Sequence, residues 1–369
     1  MRQQTAELMA GVDHLLAEHI ERWMDYDARC VSFFVANKQK VTAKVQDAAR
    51  SGKERLLDLL FELQMGCLLS LHARLTPSYE FFGDQEAGPD YSMLDRGVPS
   101  FHVEVKHVGD AKLDREYKKW IDTMALSVRQ MGPGAMVSIT SPTSDEDFAP
   151  LDLANRNVYV EREMLLTQLK NSTLDIAGFI DDRIRDLPNM ELRQSFPVPG
   201  FEGKIEVSLM KQSKLTNSSG LVRYSAIPFF KVNQPLRIVG IVCEKLGKGQ
   251  FKDGIPNVLA IYNTSQTLQR WHVPLAFDLM REAAARGDDD FFRRQSHGRI
   301  TGARDYLAKS PILTGAWYRT NGHFEKTEKG DATWIETDEM TQYYANPSAD
   351  PLGPSIVEFL GQLPLISKG

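Results

Sequence analysis

Asp90, Glu104 and Lys106 are the residues of this chain whose types and spacing point to chemistry. Asp90 follows Gly88 and Pro89, and Glu104 comes fourteen residues later within Phe101-His102-Val103-Glu104-Val105-Lys106. Apolar Phe101, Val103 and Val105 alternate with polar His102, Glu104 and Lys106, the period-two pattern of a strand with one apolar face. Glu104 and Lys106 therefore point the same way. The turn formers Asp95-Arg96-Gly97-Val98-Pro99 predict a hairpin that folds residues 91–94 against residues 101–107 and carries Asp90 alongside Glu104. Two carboxylates suit a hard divalent cation such as Mg²⁺, which takes few protein oxygens and keeps several waters. A lysine one strand-step away would orient a water molecule or offset charge on a phosphate.

The elements that must position these residues follow in order along the chain. Residues 53–75 read as a helix, then strands are expected near residues 79–82, 89–94 and 101–107, a second helix over 114–130 and a fourth strand over 134–140. With this order, Pro89-Asp90 and Glu104-Val105-Lys106 resemble the PD-(D/E)XK nuclease superfamily, the restriction-endonuclease-like enzymes, over roughly residues 51–141. The resemblance implies an α/β fold whose core runs helix, three strands, helix, strand. It also implies a Mg²⁺-dependent phosphodiesterase, with Mn²⁺ able to substitute, in which Asp90 and Glu104 are metal ligands and Lys106 positions or activates the water. Family members often add a glutamate from the first helix, a role that Glu62 would take. The substrate implied is nucleic acid, DNA above RNA, in restriction, phage defence or repair.

Three further acidic-x-Lys triplets follow Asp90: Asp110-Ala111-Lys112 reads as loop, Glu116-Tyr117-Lys118 lies in a helical pattern where residues two apart diverge, and Glu202-Gly203-Lys204 has a central glycine and no partner carboxylate on a preceding strand. Other readings stay open for each site residue. Asp90 also suits the start of a turn, Glu104 and Lys106 the solvated face of an edge strand, and Glu62 an ordinary helix surface. His102 shares the face of Glu104 and reads as a supporting or surface histidine that could touch phosphate. A catalytically silent nucleic-acid-binding or regulatory protein on the same fold, or an RNA-directed nuclease, would carry the same pattern.

The net charge of −5 excludes binding nucleic acid through an overall positive field. Its distribution is uneven: residues 1–150 hold 17 Lys or Arg against 23 Asp or Glu, while residues 201–252 hold 9 against 3. Lys112, Arg115, Lys118 and Lys119, at the start of the second expected helix, are the candidates for gripping the substrate backbone. Lys204, Lys211, Lys214, Arg223, Lys231, Arg237, Lys245, Lys248 and Lys252 form a second basic set, with Tyr224, Phe229 and Phe230 available to stack on bases.

A chain of 369 residues, 42% hydrophobic and 25% charged, has material for two domains with a substantial core. Residues 1–50 read as an N-terminal helical extension, 51–145 as the nuclease-like core, and 146–369 as a mixed α/β region for nucleic acid or a partner, with the boundary in the polar run Ser141-Pro142-Thr143-Ser144-Asp145-Glu146-Asp147. In that last region residues 162–169 and 173–184 look helical, and residues 204–210, 224–232, 237–243 and 258–262 look like strands. Cys30, Cys67 and Cys243 are far apart and odd in number, so they read as buried thiols of a reducing compartment. No apolar run is long enough to span a bilayer and Met1-Arg2-Gln3-Gln4 is no signal-peptide core, which predicts a cytoplasmic protein without a membrane partner. Gly247-Lys248-Gly249 lacks the pattern of a phosphate loop. Cutting both strands of a duplex calls for two active sites, which is compatible with a homodimer, and a defence setting is compatible with a partner protein.

Overall fold

The helix Lys53–Ser70 is the element around which the N-terminal part of the chain is organised. Leu59, Phe61, Leu63, Met65, Cys67, Leu68 and Leu69 are all buried, a distribution that goes round the helix rather than along one stripe. Such a helix needs partners on several sides. Three helices supply them: α1 (His14–Tyr26), α2 (Ala28–Ala36) and α3 (Lys38–Ser51), with the helix itself α4. Ile20, Trp23, Phe33, Phe34, Val41 and Val45 enter one core with it. The closest approach is at Gly66, where a Cβ would lie 2.2 Å from the Phe33 ring and 2.7 Å from the Tyr91 hydroxyl. The computed structural model describes residues 14–51, 53–83, 87–110, 135–140, 167, 171, 173–184, 192–197, 204–211, 221–224, 234–265, 268–320, 323–326, 332–335 and 341–363.

After α4 come three strands, β1 (Thr76–Tyr79), β2 (Tyr91–Asp95) and β3 (Val98–Val108). α4 stops at Ser70, short of the expected residue 75, where the His72 ring nitrogen accepts the backbone N–H groups of Arg74 and Leu75 at 3.1 and 2.9 Å. The expected hairpin is present. Arg96 and Gly97 both have positive φ (50° and 87°), as a two-residue turn matching the strand twist requires. β2 and β3 pair antiparallel with Tyr91 facing Val103 and Ser92 facing His102.

The chain divides into two compact units, residues 1–109 with 234–369, and residues 110–233. In the second unit, β4 (Ala135–Thr140), α5 (Thr173–Ile184), β5 (Leu192–Pro197), β6 (Lys204–Lys211) and β7 (Leu221–Tyr224) are described, and the four strands form a sheet in the order β5-β6-β4-β7. The strand expected over residues 134–140 thus exists, but it pairs with β6 and β7 rather than with β3. The helix expected over 114–130 and most of that over 162–169 lie outside the described residues.

The chain re-enters the first unit with α6 (Gln234–Gly247), followed by β8 (Asn257–Asn263). Residues 237–243 are therefore helical, not the strand expected of them. Ile238, Val239, Val242, Cys243 and Leu246 are buried at helical spacing, and Pro235 occupies the first turn, where its missing N–H costs nothing. The β-branched run that suggested a strand is the buried stripe of this helix. β8 lies parallel to β3, and all seven of its residues are buried, as in an interior parallel strand covered on both faces. α7 (His272–Arg286), α8 (Asp289–Gln295) and α9 (Ala303–Lys309) lead to β9 (Leu313–Thr320), parallel to β8. A small antiparallel pair, β10 (His323–Lys326) with β11 (Ala332–Ile335), precedes β12 (Gln342–Ala345) and α10 (Pro354–Gly361). The sheet order is β1-β2-β3-β8-β9-β12, a mixed six-stranded sheet.

One face of this sheet, with Phe101, Val103, Val105, Val258, Ala260, Tyr262 and Trp317, packs on α1–α4 and α10. The other, with Leu259, Ile261, Ala316 and Tyr318, packs on α6–α9. The three cysteines are buried free thiols. Among the described residues no helix is long and apolar enough to cross a membrane.

Candidate functional site

Asp90 sits immediately before β2, where β2 begins to pair with β3. Its Oδ2 accepts the backbone N–H of Val105 at 2.7 Å, so the side chain takes the place of a ladder carbonyl beyond the end of β2. Glu104, between inward-facing Val103 and Val105, projects to the opposite face of the sheet, the face covered by α6. It is 1% exposed. Glu104 Oε1 accepts from Lys245 Nζ and, at 2.9 Å, from Gln250 Nε2, while Oε2 is buried with no hydrogen-bond partner.

Glu62 reaches the site from α4, on the other side of the sheet. Its Oε1 accepts from Lys44 Nζ and from the Tyr79 hydroxyl, each at 2.5 Å, and its backbone carbonyl accepts from the Tyr91 hydroxyl at 2.7 Å. Lys44 also pairs with Glu80 at 2.7 Å. Asp90 thus lies between two carboxylates, each held by a lysine from a helix. Burial, then Glu104, then Glu62 push the Asp90 carboxyl well above the usual carboxylate range, with Lys44 and the Val105 N–H opposing. Glu104 is raised for the same first reason, burial, partly offset by Lys245. Burial would lower Lys245, but Glu104, Asp90 and Glu244 together hold it above the ordinary lysine range. Two buried carboxyls raised together, Asp90 and Glu104, mark a candidate functional position.

Lys106 shares the Glu104 face by strand alternation and is partly buried. Its ammonium lies close enough to Glu244 of α6 to help hold that carboxyl below its usual range, after the larger effect of Lys248. His102 is fully buried, with Nδ1 2.9 Å from the Ser92 hydroxyl and its ring edge-on to Phe82 at 5.5 Å. Burial, reinforced by Lys252, lowers it to about 4, so the ring is neutral at pH 7. A polar cavity of about 80 Å³ opens beside Asp90, lined by Glu80, Phe82, Gly83, Gly88 and Pro89 as well. It has room for more than one water molecule.

Sequence reasoning brought Asp90, Glu104, Lys106 and Glu62 forward; Asp90, Glu104 and Glu62 act on one another, while Lys106 shares the Glu104 face and acts on Glu244. It missed Lys44, Tyr79 and Lys245 as partners of the carboxylates, and Gln250 with them. Lys44 left a signal: it sits next to buried Val45 and one turn from Val41 and Ala48, a charge beside an apolar stripe. Lys245 left none while residues 237–243 were read as a strand. The basic set expected over 204–252 is split, since Arg237, Lys245, Lys248 and Lys252 belong to the first unit and Lys204, Lys211, Lys214, Arg223 and Lys231 to the second. Lys112, Arg115, Lys118 and Lys119, and the aromatic pair Phe229 and Phe230, lie outside the described residues.

No protein-family model matches this sequence, and no curated protein or solved structure is significantly similar to it. The chemistry of the donors must therefore speak for the site. Among the described residues no group of three or more His, Cys, Asp or Glu side chains is arranged to hold a metal ion. A cation here would rest on two carboxylates, Asp90 and Glu104, with the rest of its shell from water and substrate. That arrangement suits Mg²⁺, for which one or two carboxylates are the usual protein share. The partnerless Oε2 of Glu104 fits such an ion, whereas the polar cavity is lined by Asp90 and not by Glu104.

Proposed function

We propose that this protein is a divalent-cation-dependent nuclease with a restriction-endonuclease-like core of the PD-(D/E)XK type, acting on DNA. The observation that carries the reading is the order of elements around the site. Helix α4, strands β1, β2 and β3, helix α6 and strand β8 run in the sequence helix, three strands, helix, strand, with β8 parallel to β3 and Asp90 and Glu104 at the β2–β3 junction. The second helix and fourth strand of this core are residues 234–247 and 257–263. They are not the ones the local pattern suggested.

Asp90 and Glu104 would hold the ion, and Lys106, on the Glu104 face, would orient the attacking water or balance charge at the phosphate. When bound, Mg²⁺ supplies Lewis acidity and a lowered pKa for water. Glu62, whose Oε1 already accepts from Lys44 and Tyr79, would reach a second ion or a metal-bound water through its other oxygen. Restriction, phage defence and repair are the settings this chemistry serves.

A second reading has one observation in its favour: Lys245 and Gln250 both occupy Glu104 Oε1. A protein that binds nucleic acid without cutting it could keep Glu104 in this way. The two readings separate on one assay, cleavage of plasmid, single-stranded DNA and RNA by wild type, Asp90→Ala and Lys106→Ala in Mg²⁺, Mn²⁺ or EDTA. Metal-dependent cutting that both variants lose is the expected result and names the polymer. Wild type inert on all three substrates with each metal would remove the nuclease reading and leave the binding one.

A further inference from the structure

Two oxygens next to this site lack a donor at hydrogen-bonding geometry, the Asp90 backbone N–H being the smallest of the influences on the Glu104 carboxylate. Glu104 Oε2 and Gln250 Oε1 are both buried without a hydrogen-bond partner, and they belong to side chains joined to each other, because Gln250 Nε2 donates to Glu104 Oε1 at 2.9 Å. That bond fixes the amide. Turning it over would set its carbonyl oxygen against a carboxylate. Buried acceptors are seldom left empty, and a carboxylate oxygen and a carboxamide oxygen are both ligands that Mg²⁺ and Mn²⁺ accept.

Lys245 completes the picture. Its ammonium sits on the other oxygen of the same carboxylate, only 13% exposed, so in the metal-free protein it supplies the positive charge that Glu104 needs. A divalent ion on Oε2 would face that ammonium across one carboxylate, and like charges so close repel.

We propose that Gln250 is an oxygen ligand of the divalent ion held by Asp90 and Glu104, and that Lys245 is the counter-ion the chain itself provides, giving way as the ion enters. This rests on the reading of Asp90 and Glu104 as a cation site. It adds a neutral ligand from beyond α6 and a competitor from within it.

Calorimetric titration of the full chain with Mn²⁺ tests the proposal without reference to cleavage. Wild type binds and Asp90→Asn does not; Gln250→Leu binds at least about tenfold more weakly, the scale expected when a supporting group at a metal is lost. Gln250→Glu, which keeps an oxygen in place, binds as tightly as wild type or more so, and Lys245→Met binds more tightly than wild type. Gln250→Leu binding as wild type does, while Asp90→Asn fails, would overturn Gln250 as a ligand and leave the cation site standing. Lys245→Met binding no better than wild type would overturn the competition. Should Gln250→Leu not fold by circular dichroism, weaker binding by Gln250→Glu overturns the ligand role on its own. No Mn²⁺ binding by wild type would overturn the cation site itself and this inference with it.

Discussion

Two lysine–carboxylate pairs flank Asp90, one on each side of the sheet, and they are built differently. Lys44 and Glu62 both come from helices, their side chains are 31% and 16% exposed, and Lys44 shares itself with Glu80. Lys245 and Glu104 join a helix to a central strand, at 13% and 1% exposure, and Gln250 closes the same carboxylate from another direction. The first pair is a hinge of charge at the edge of water. The second is a desolvated contact, where breaking one partner strands the other. From this difference it follows that the Glu104 side sets the cost of assembling the site, while the Glu62 side trims its electrostatics.

The sharpest test of that contrast is Lys245→Met in EDTA. With the ammonium gone, Glu104 keeps one hydrogen bond and an uncompensated buried charge, so unfolding by urea should show a loss of about 3–5 kcal/mol. Mn²⁺ should restore part of it, since the ion replaces the missing positive charge. A loss under 1 kcal/mol would mean that the buried pair carries no more than a surface pair, and the contrast would collapse.

Asp90→Asn should move stability the other way. The amide oxygen can still accept the Val105 N–H, while the repulsion from Glu104 and Glu62 disappears, and the expected gain in EDTA at pH 7 is on the order of 1–2 kcal/mol. The sign with pH follows from a folded pKa raised above the unfolded one: stability is intact below the unfolded value and declines as pH rises through the folded one. The advantage of Asp90→Asn should therefore grow with pH and vanish towards pH 4, as thermal melts across that range would record. An advantage that grew in acid would mean that Asp90 is stabilised, not burdened, by its neighbours.

The hairpin that carries Asp90, Glu104 and Lys106 was legible because its signals are local. Alternation sets the faces of β3, and Arg96-Gly97 supplies the two positive φ values of the turn. α4 was legible as well, through its length and apolar content. The place of α6 and β8 beside β3 was not, because the chain inserts residues 110–233 before closing the sheet, and a local pattern holds no record of how far away the next strand lies. Ile238, Val239, Ile241 and Val242 added a second obstacle, a β-branched cluster whose helical periodicity shows only when its burial is known. Lys245 and Gln250 stand 141 and 146 residues from the glutamate they hold. Charge on a helix of unknown partner is equally consistent with a solvated face, so their role required the fold.

Lys44→Met is the smallest of the three perturbations and the one that best calibrates the comparison. Its ammonium serves Glu62 and Glu80 together and lies 4.7 Å over the Tyr79 ring, yet Lys44, Glu62 and Glu80 each keep some contact with water. Screening then reduces what the charges contribute, and Glu62 retains the Tyr79 hydroxyl after the substitution. The loss should be about 1 kcal/mol and should shrink further at high salt, while the loss for Lys245→Met should barely respond. Paired double-mutant cycles, Lys44→Met with Glu62→Gln and Lys245→Met with Glu104→Gln, would give the coupling in each pair directly. A larger coupling for Lys44 and Glu62 would place the electrostatic centre of the site on α4 instead of β3, and Glu62 would then become the carboxylate to which a cation must first answer.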